Sequence, residues 1–113
     1  AKGEKDYIDI YEGDSFKRDM SYHQGPTWVW LLGLYYNSLV NMKIAQTDRS
    51  KKQELDEKIN KFKETTEKTF KKEMYKRGCI GSISELYDSK TPYEPRGAIA
   101  QAWSVAEVFR IIF

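Results

Sequence analysis

The chain has 113 residues, of which 40% are apolar and 32% charged, and it carries a net charge of +2 at neutral pH. That length fits one small domain or a part of a larger one, with the composition of an ordinary folded protein. The small charge gives no reason to expect a nucleic-acid or membrane partner, and no apolar run approaches the ~20 residues that a membrane span needs.

Cys79 is the only cysteine, so a disulfide within the chain is excluded. A lone thiol fits a reducing compartment, and the expected location is cytoplasmic. Aromatic content is high at 14%. Such residues fill cores and also line clefts in which flat ligand faces stack.

Residues 1–24 are polar and aromatic, broken by Gly3 and Gly13, and read as mostly extended loop. Tyr7, Ile8, Ile10 and Tyr11 could form one short strand. So much irregular chain at the start of a domain favours a piece of something larger, and so does an opening residue, Ala1, that is not Met.

Gly25-Pro26 predicts the start of a first helix at Pro26. Trp28, Leu31, Leu32, Tyr35, Leu39 and Met42 recur at helical spacing, and Trp30, Leu34, Tyr36 and Val40 lie off that stripe. A helix apolar nearly all round is expected to be buried on most sides.

The second helix is predicted from Ser50, its expected N-cap, to Arg77, with Gly78 just past its end. Leu55, Ile59, Phe62, Phe70 and Met74 mark a narrow stripe on an otherwise charged surface. Glu54–Lys58, Glu57–Lys61, Glu64–Lys68 and Glu67–Lys71 set acid before base at i,i+4, each pair worth ~0.2–0.5 kcal/mol. The alternating signs describe a solvated outer face rather than a nucleic-acid surface.

A loop from Gly78 to Gly97 follows, longer than the roughly 12–15 residues beyond which loops in compact domains tend to be functional or disordered. Ile80, Ile83, Leu86, Tyr87 and Tyr93 argue for order. The last helix is predicted from Ala98 to about Ile112, with Ile99, Ala102, Trp103, Ala106, Phe109 and Ile112 or Phe113 on its inner face. Inner helix, outer helix, long loop, inner helix is the alternation of an α/α toroid or barrel.

On the residues alone, Glu85 reads either as a catalytic carboxylate or as a surface acid near a helix start. Asp88 is a rival, although Tyr87-Asp88-Ser89 also has turn chemistry. His23 reads as a ligand, an acid or a hydrogen-bonding partner, or as a helix-capping loop residue. No metal site is expected, because no second His and no Cys pair stands at ligand spacing. Gln24 suits hydroxyl recognition, since an amide both donates and accepts, and serves equally as a turn residue. Trp28, Trp30 and Trp103 are core or stacking residues. Arg96 either accompanies Glu85, binds a hydroxyl, or pairs with Glu94 or Glu107. Tyr22 and Tyr87 carry the same ambiguity.

Three segments together resemble the glucosidase domain of glycogen debranching enzymes, the amylo-α-1,6-glucosidases. Tyr22-His23-Gln24-Gly25-Pro26-Thr27-Trp28-Val29-Trp30 is similar to a Tyr-His-Gln-Gly-x-x-Trp-x-Trp segment of that family. Gly81-Ser82-Ile83-Ser84-Glu85 resembles its Gly-Ser-Ile-Ser-Glu segment. Pro95-Arg96-Gly97-Ala98-Ile99-Ala100-Gln101-Ala102-Trp103-Ser104-Val105-Ala106-Glu107 resembles its ending. The chain departs from the family pattern at Val29, where proline is common before the second Trp, and at Pro26.

The resemblance implies an all-α fold class, with about three helices forming the C-terminal part of an (α/α)6 barrel and carrying a long functional loop. Residues 1–113 would then be a C-terminal fragment of the barrel domain, with no complete second domain. It also implies hydrolysis of the α-1,6-linked glucose at glycogen branch points, with inversion, and no cofactor. Glu85 falls where the family places its base, and the acid would lie upstream. His23, Gln24, Trp30, Arg96 and Trp103 are the expected substrate-binding residues.

The expected partners are glycogen or a branched α-glucan and the rest of the barrel. The chain alone is expected to be inactive and to self-associate through exposed apolar faces. A related (α/α)6 glycosidase of glucoamylase or trehalase type, and a non-catalytic helical binding module, are the competing expectations.

Overall fold

The computed structural model describes residues 2–113. Its first element, α1 (Ser15–Ser21), lies inside the segment expected to be loop. Asp14 starts it by accepting a hydrogen bond from the Lys17 N–H, 2.9 Å away. Seven residues are too few to display a periodic stripe, and Phe16 and Met20 on this helix are exposed. Tyr7–Tyr11 forms no strand. It is pinned to the loops: the Ile8 N–H donates to the Gln24 carbonyl, the Tyr11 N–H to Asp88, and the Asp9 carbonyl accepts from the Ser89 N–H.

Pro26 does not open a helix. Thr27–Trp28 is a short strand, β1, and α2 (Leu31–Ala45) begins only after the turn at Val29-Trp30. The Trp28 indole N–H reaches back to the Tyr22 carbonyl at 3.0 Å, which helps hold this residue extended. The Val29 and Trp30 carbonyls then accept from Leu32 and Gly33, satisfying the first helical N–H groups.

Helix α3 (Arg49–Lys76) has the expected extent, but its cap is Asp48 rather than Ser50. The Asp48 carboxylate accepts from the Lys51 N–H at 3.1 Å. Leu55, Ile59, Thr66, Phe70 and Glu73 form its buried stripe, with Phe62 and Met74 half-buried beside it. Gly78 follows the helix in the left-handed conformation, φ 58°.

The long loop is ordered and contains two more strands, β2 (Leu86–Tyr87) and β3 (Pro95–Arg96). With β1 they make an antiparallel sheet in the order β1-β2-β3, pairing Trp28 with Leu86 and Leu86 with Arg96. Helix α4 (Ala102–Ile112) starts four residues later than the sequence predicts. The reason is hydrogen bonding: residues 98–101 spend their backbone groups on the loop, with Glu85 N–H donating to Ala98 O and Gln101 N–H to Ile83 O.

The core falls into two clusters. Val29, Phe70, Ile83, Tyr87 and Val108 join the sheet to α3 and α4, while Leu39, Leu55 and Ile59 join α2 to α3. At Gly33, a Cβ would stand 1.6 Å from Glu107 Oε2, so the missing side chain is what allows α2 and α4 to meet.

The first and last of the predicted helices keep the exposed apolar faces expected of the chain alone, although burial of α2 on most sides and of the inner face of α4 is not reached within it. Helix α2 buries only Gly33 and Leu39, leaving Leu31, Leu34, Tyr35 and Met42 exposed. Helix α4 buries Ser104, Val108 and Ile111, while Trp103, Phe109 and Phe113 of its predicted inner face, and Ile99 before it, are exposed. The molecule is a mostly helical slab of 52 × 35 × 21 Å, an all-α arrangement with one small sheet, compatible with a part of an (α/α)6 barrel.

Candidate active site

Glu85 stands between two buried residues, Ser84 and Leu86, at the start of β2. Burial of its neighbours fixes the backbone and leaves the Glu85 side chain half-exposed. Each carboxylate oxygen has one donor. Oε1 accepts from the Tyr22 hydroxyl at 2.6 Å, and Oε2 accepts from the Ala98 N–H at 3.0 Å. A carboxylate has about four lone-pair positions, so roughly two remain for water or substrate.

Gly97 makes this hold possible. It adopts φ 68°, and a Cβ there would sit 2.4 Å from Glu85 Oε2. A cavity of about 560 Å³ opens beside the carboxylate, lined among others by Tyr11, Glu12, Arg18, Arg96 and Gly97. Carboxylate, phenol, guanidinium and backbone groups around one concavity can exchange hydrogen bonds with a polyhydroxylated ligand. The Tyr22 phenol is pushed up to about 12, first by its hydrogen bond to Glu85, then by burial and the Glu85 charge. It stays a proton donor through the neutral range.

The structure links several predicted residues through an aromatic run. Tyr22 meets His23 edge-on at 4.8 Å and Trp28 at 4.6 Å, and His23 stacks on Trp28 with rings 10° apart. Trp103 follows at 6.4 Å from Trp28, and Trp30 at 6.3 Å from Trp103. His23 and Trp103 are exposed and Trp30 half-buried. Gln24 is exposed beside His23, with its N–H donating to the Ser21 carbonyl. These four residues lie outside the lining of the cavity that holds Glu85.

Arg96 does line that cavity, yet it accompanies neither Glu85 nor Glu94 nor Glu107. Its Nε and one terminal nitrogen donate to Asp88 Oδ2, both at 2.9 Å, and Glu12 stands 3.6 Å away. The Asp88 hydrogen bond raises the guanidinium above its ordinary range. Asp88 is buried and also accepts from the Tyr11 N–H at 2.8 Å, so all its donors are structural. Glu94 and Glu107 pair instead with Arg77 and Arg110.

Tyr11, Glu12 and Arg18 are cavity residues that sequence reasoning missed. The N-terminal segment folds over the loop only through contacts distant in sequence, and no local pattern marks them. Among the described residues, no group of three or more His, Cys, Asp or Glu could hold a metal ion, and no helix is long and apolar enough to cross a membrane.

A model of the amylo-alpha-1,6-glucosidase family matches residues 1–110. No curated protein and no solved structure gives a significant match.

Proposed function

The chain belongs to the amylo-α-1,6-glucosidase family, and from that membership we propose that it carries the catalytic base of an inverting glucosidase acting on the α-1,6-linked glucose at glycogen branch points. Inverting glycosidases place two carboxyl groups roughly 6.5–9.5 Å apart, one protonating the leaving oxygen and one activating a water. Glu85 takes the second role. A separate segment of the complete polypeptide supplies the acid, so this chain alone is inactive.

The observation that carries the reading is the two-point hold on Glu85, from Tyr22 and Ala98, beside a polar cavity. A base must face its water in a fixed orientation, and such a hold supplies one. Arg96 offers a donor at the cavity edge, and His23, Gln24, Trp30 and Trp103 form a neighbouring surface for sugar rings and hydroxyls. Further helices of an (α/α)6 barrel cover the exposed apolar residues of α2 and α4.

The test is Glu85→Gln in the complete polypeptide. Release of α-1,6-linked glucose from branch-stub dextrins should vanish while glycogen binding persists. Near-normal turnover would remove Glu85 from the mechanism.

A further inference from the structure

Tyr22 has a place in the site that the reading of Glu85 leaves open. It sits immediately after α1, and its hydroxyl donates to Glu85 Oε1 at 2.6 Å. Its ring touches Tyr11 at 5.6 Å between centroids, His23 at 4.8 Å and Trp28 at 4.6 Å. Its carbonyl accepts from the Trp28 indole N–H. The side chain is therefore wedged between α1 and β1, with little freedom to leave the carboxylate.

We propose that Tyr22 is a positioning residue for the base: its hydroxyl, acting with the Ala98 N–H, sets the plane of the Glu85 carboxylate so that a free lone pair stays directed at the attacking water. The inference rests on the reading of Glu85 as the base. The physical reason is geometric. Two donors on different oxygens fix rotation about the terminal bond of Glu85, which a single donor leaves free, and misorientation of a reacting group costs rate. Tyr22 passes no proton on. With its phenol pushed up to about 12, it remains a donor across the pH range of a working glucosidase.

The test is Tyr22→Phe in the complete polypeptide, which keeps the ring contacts and deletes one hydroxyl. Losing a hydrogen bond to a charged group predicts a fall in kcat of about 10–100-fold, with KM nearly unchanged. A purely structural role would lower the melting temperature and leave kcat of the folded variant in place. Unchanged kcat in the folded variant would overturn the proposal.

A para-aminophenylalanine at position 22 covers the case in which the phenylalanine variant fails to fold. It keeps the ring contacts but offers a weaker, neutral N–H in place of the hydroxyl, so kcat should fall severalfold with KM nearly unchanged. A kcat equal to that of the unmodified enzyme would also overturn the proposal. Glu85→Gln run in parallel separates the two readings: if it is inactive while Tyr22→Phe is normal, only the role of Tyr22 falls.

Discussion

At the scale of single residues, the site depends on Gly97 as much as on the carboxylate it faces. Its φ of 68° disfavours any side chain, and a Cβ would press on the carboxyl end and the Cβ of Glu85. Gly97→Ala should therefore cost about 1–3 kcal/mol of stability and lower turnover by displacing the carboxylate, which urea denaturation and kinetics on the complete polypeptide would measure. Wild-type stability and rate would show that the loop yields freely. What singles out Glu85 in the sequence is that Gly81-Ser82-Ile83-Ser84-Glu85 resembles a segment of the family. Its partner Tyr22 was not legible in that role, since a contact between positions 63 apart leaves no periodic or local trace. The pairing of Arg96 with Asp88 was hidden in the same way, by the antiparallel alignment of β2 and β3.

Among the elements, α3 was the most readable, because one apolar stripe on a charged helix is a strong periodic signal and Asp48 a conventional cap. The three strands were unreadable. Each has only two residues, too few to alternate, and Pro26 in front of β1 imitates a helix start. Within β2, Tyr87 is buried against Phe70, and its phenol is pushed up to about 12, mainly by burial and then by the Glu73 charge. The unfolded chain ionises its tyrosines near pH 10, about two units lower. The folded state thus keeps this contribution below pH ~10 and loses it as pH rises toward ~12. Melting temperatures between these values should fall less steeply for Tyr87→Phe than for the parent sequence. Parallel curves would show that the Tyr87 phenol does not drive the alkaline loss.

For the molecule as a whole, the most telling feature is where apolar surface remains. Leu34, Tyr35 and Met42 on α2 are more than half exposed, and on α4 Trp103 is 48% and Phe109 44% exposed. Large apolar residues left exposed on two helices are what a further covering structure would bury. The 113-residue chain, prepared by itself, should self-associate with rising concentration in sedimentation velocity runs, and charged substitutions at Leu34 and Phe109 should disperse it. A monomer at all concentrations would contradict the expected covering by further helices. Exposed apolar faces were expected of the chain alone, but which residues carry them was not legible, because periodicity does not show which neighbours are present to cover a helix.

The carboxylate at position 85 also depends on the chain being folded. The two groups that clasp it come from opposite directions along the polypeptide, one 63 positions before it and one 13 after. An unfolded or nascent chain contains the acid without its orientation, so the carboxylate is held only once both ends have closed on the loop. Cleavage anywhere between Tyr22 and Ala98 that lets these segments part would release the Glu85 side chain while leaving it chemically intact.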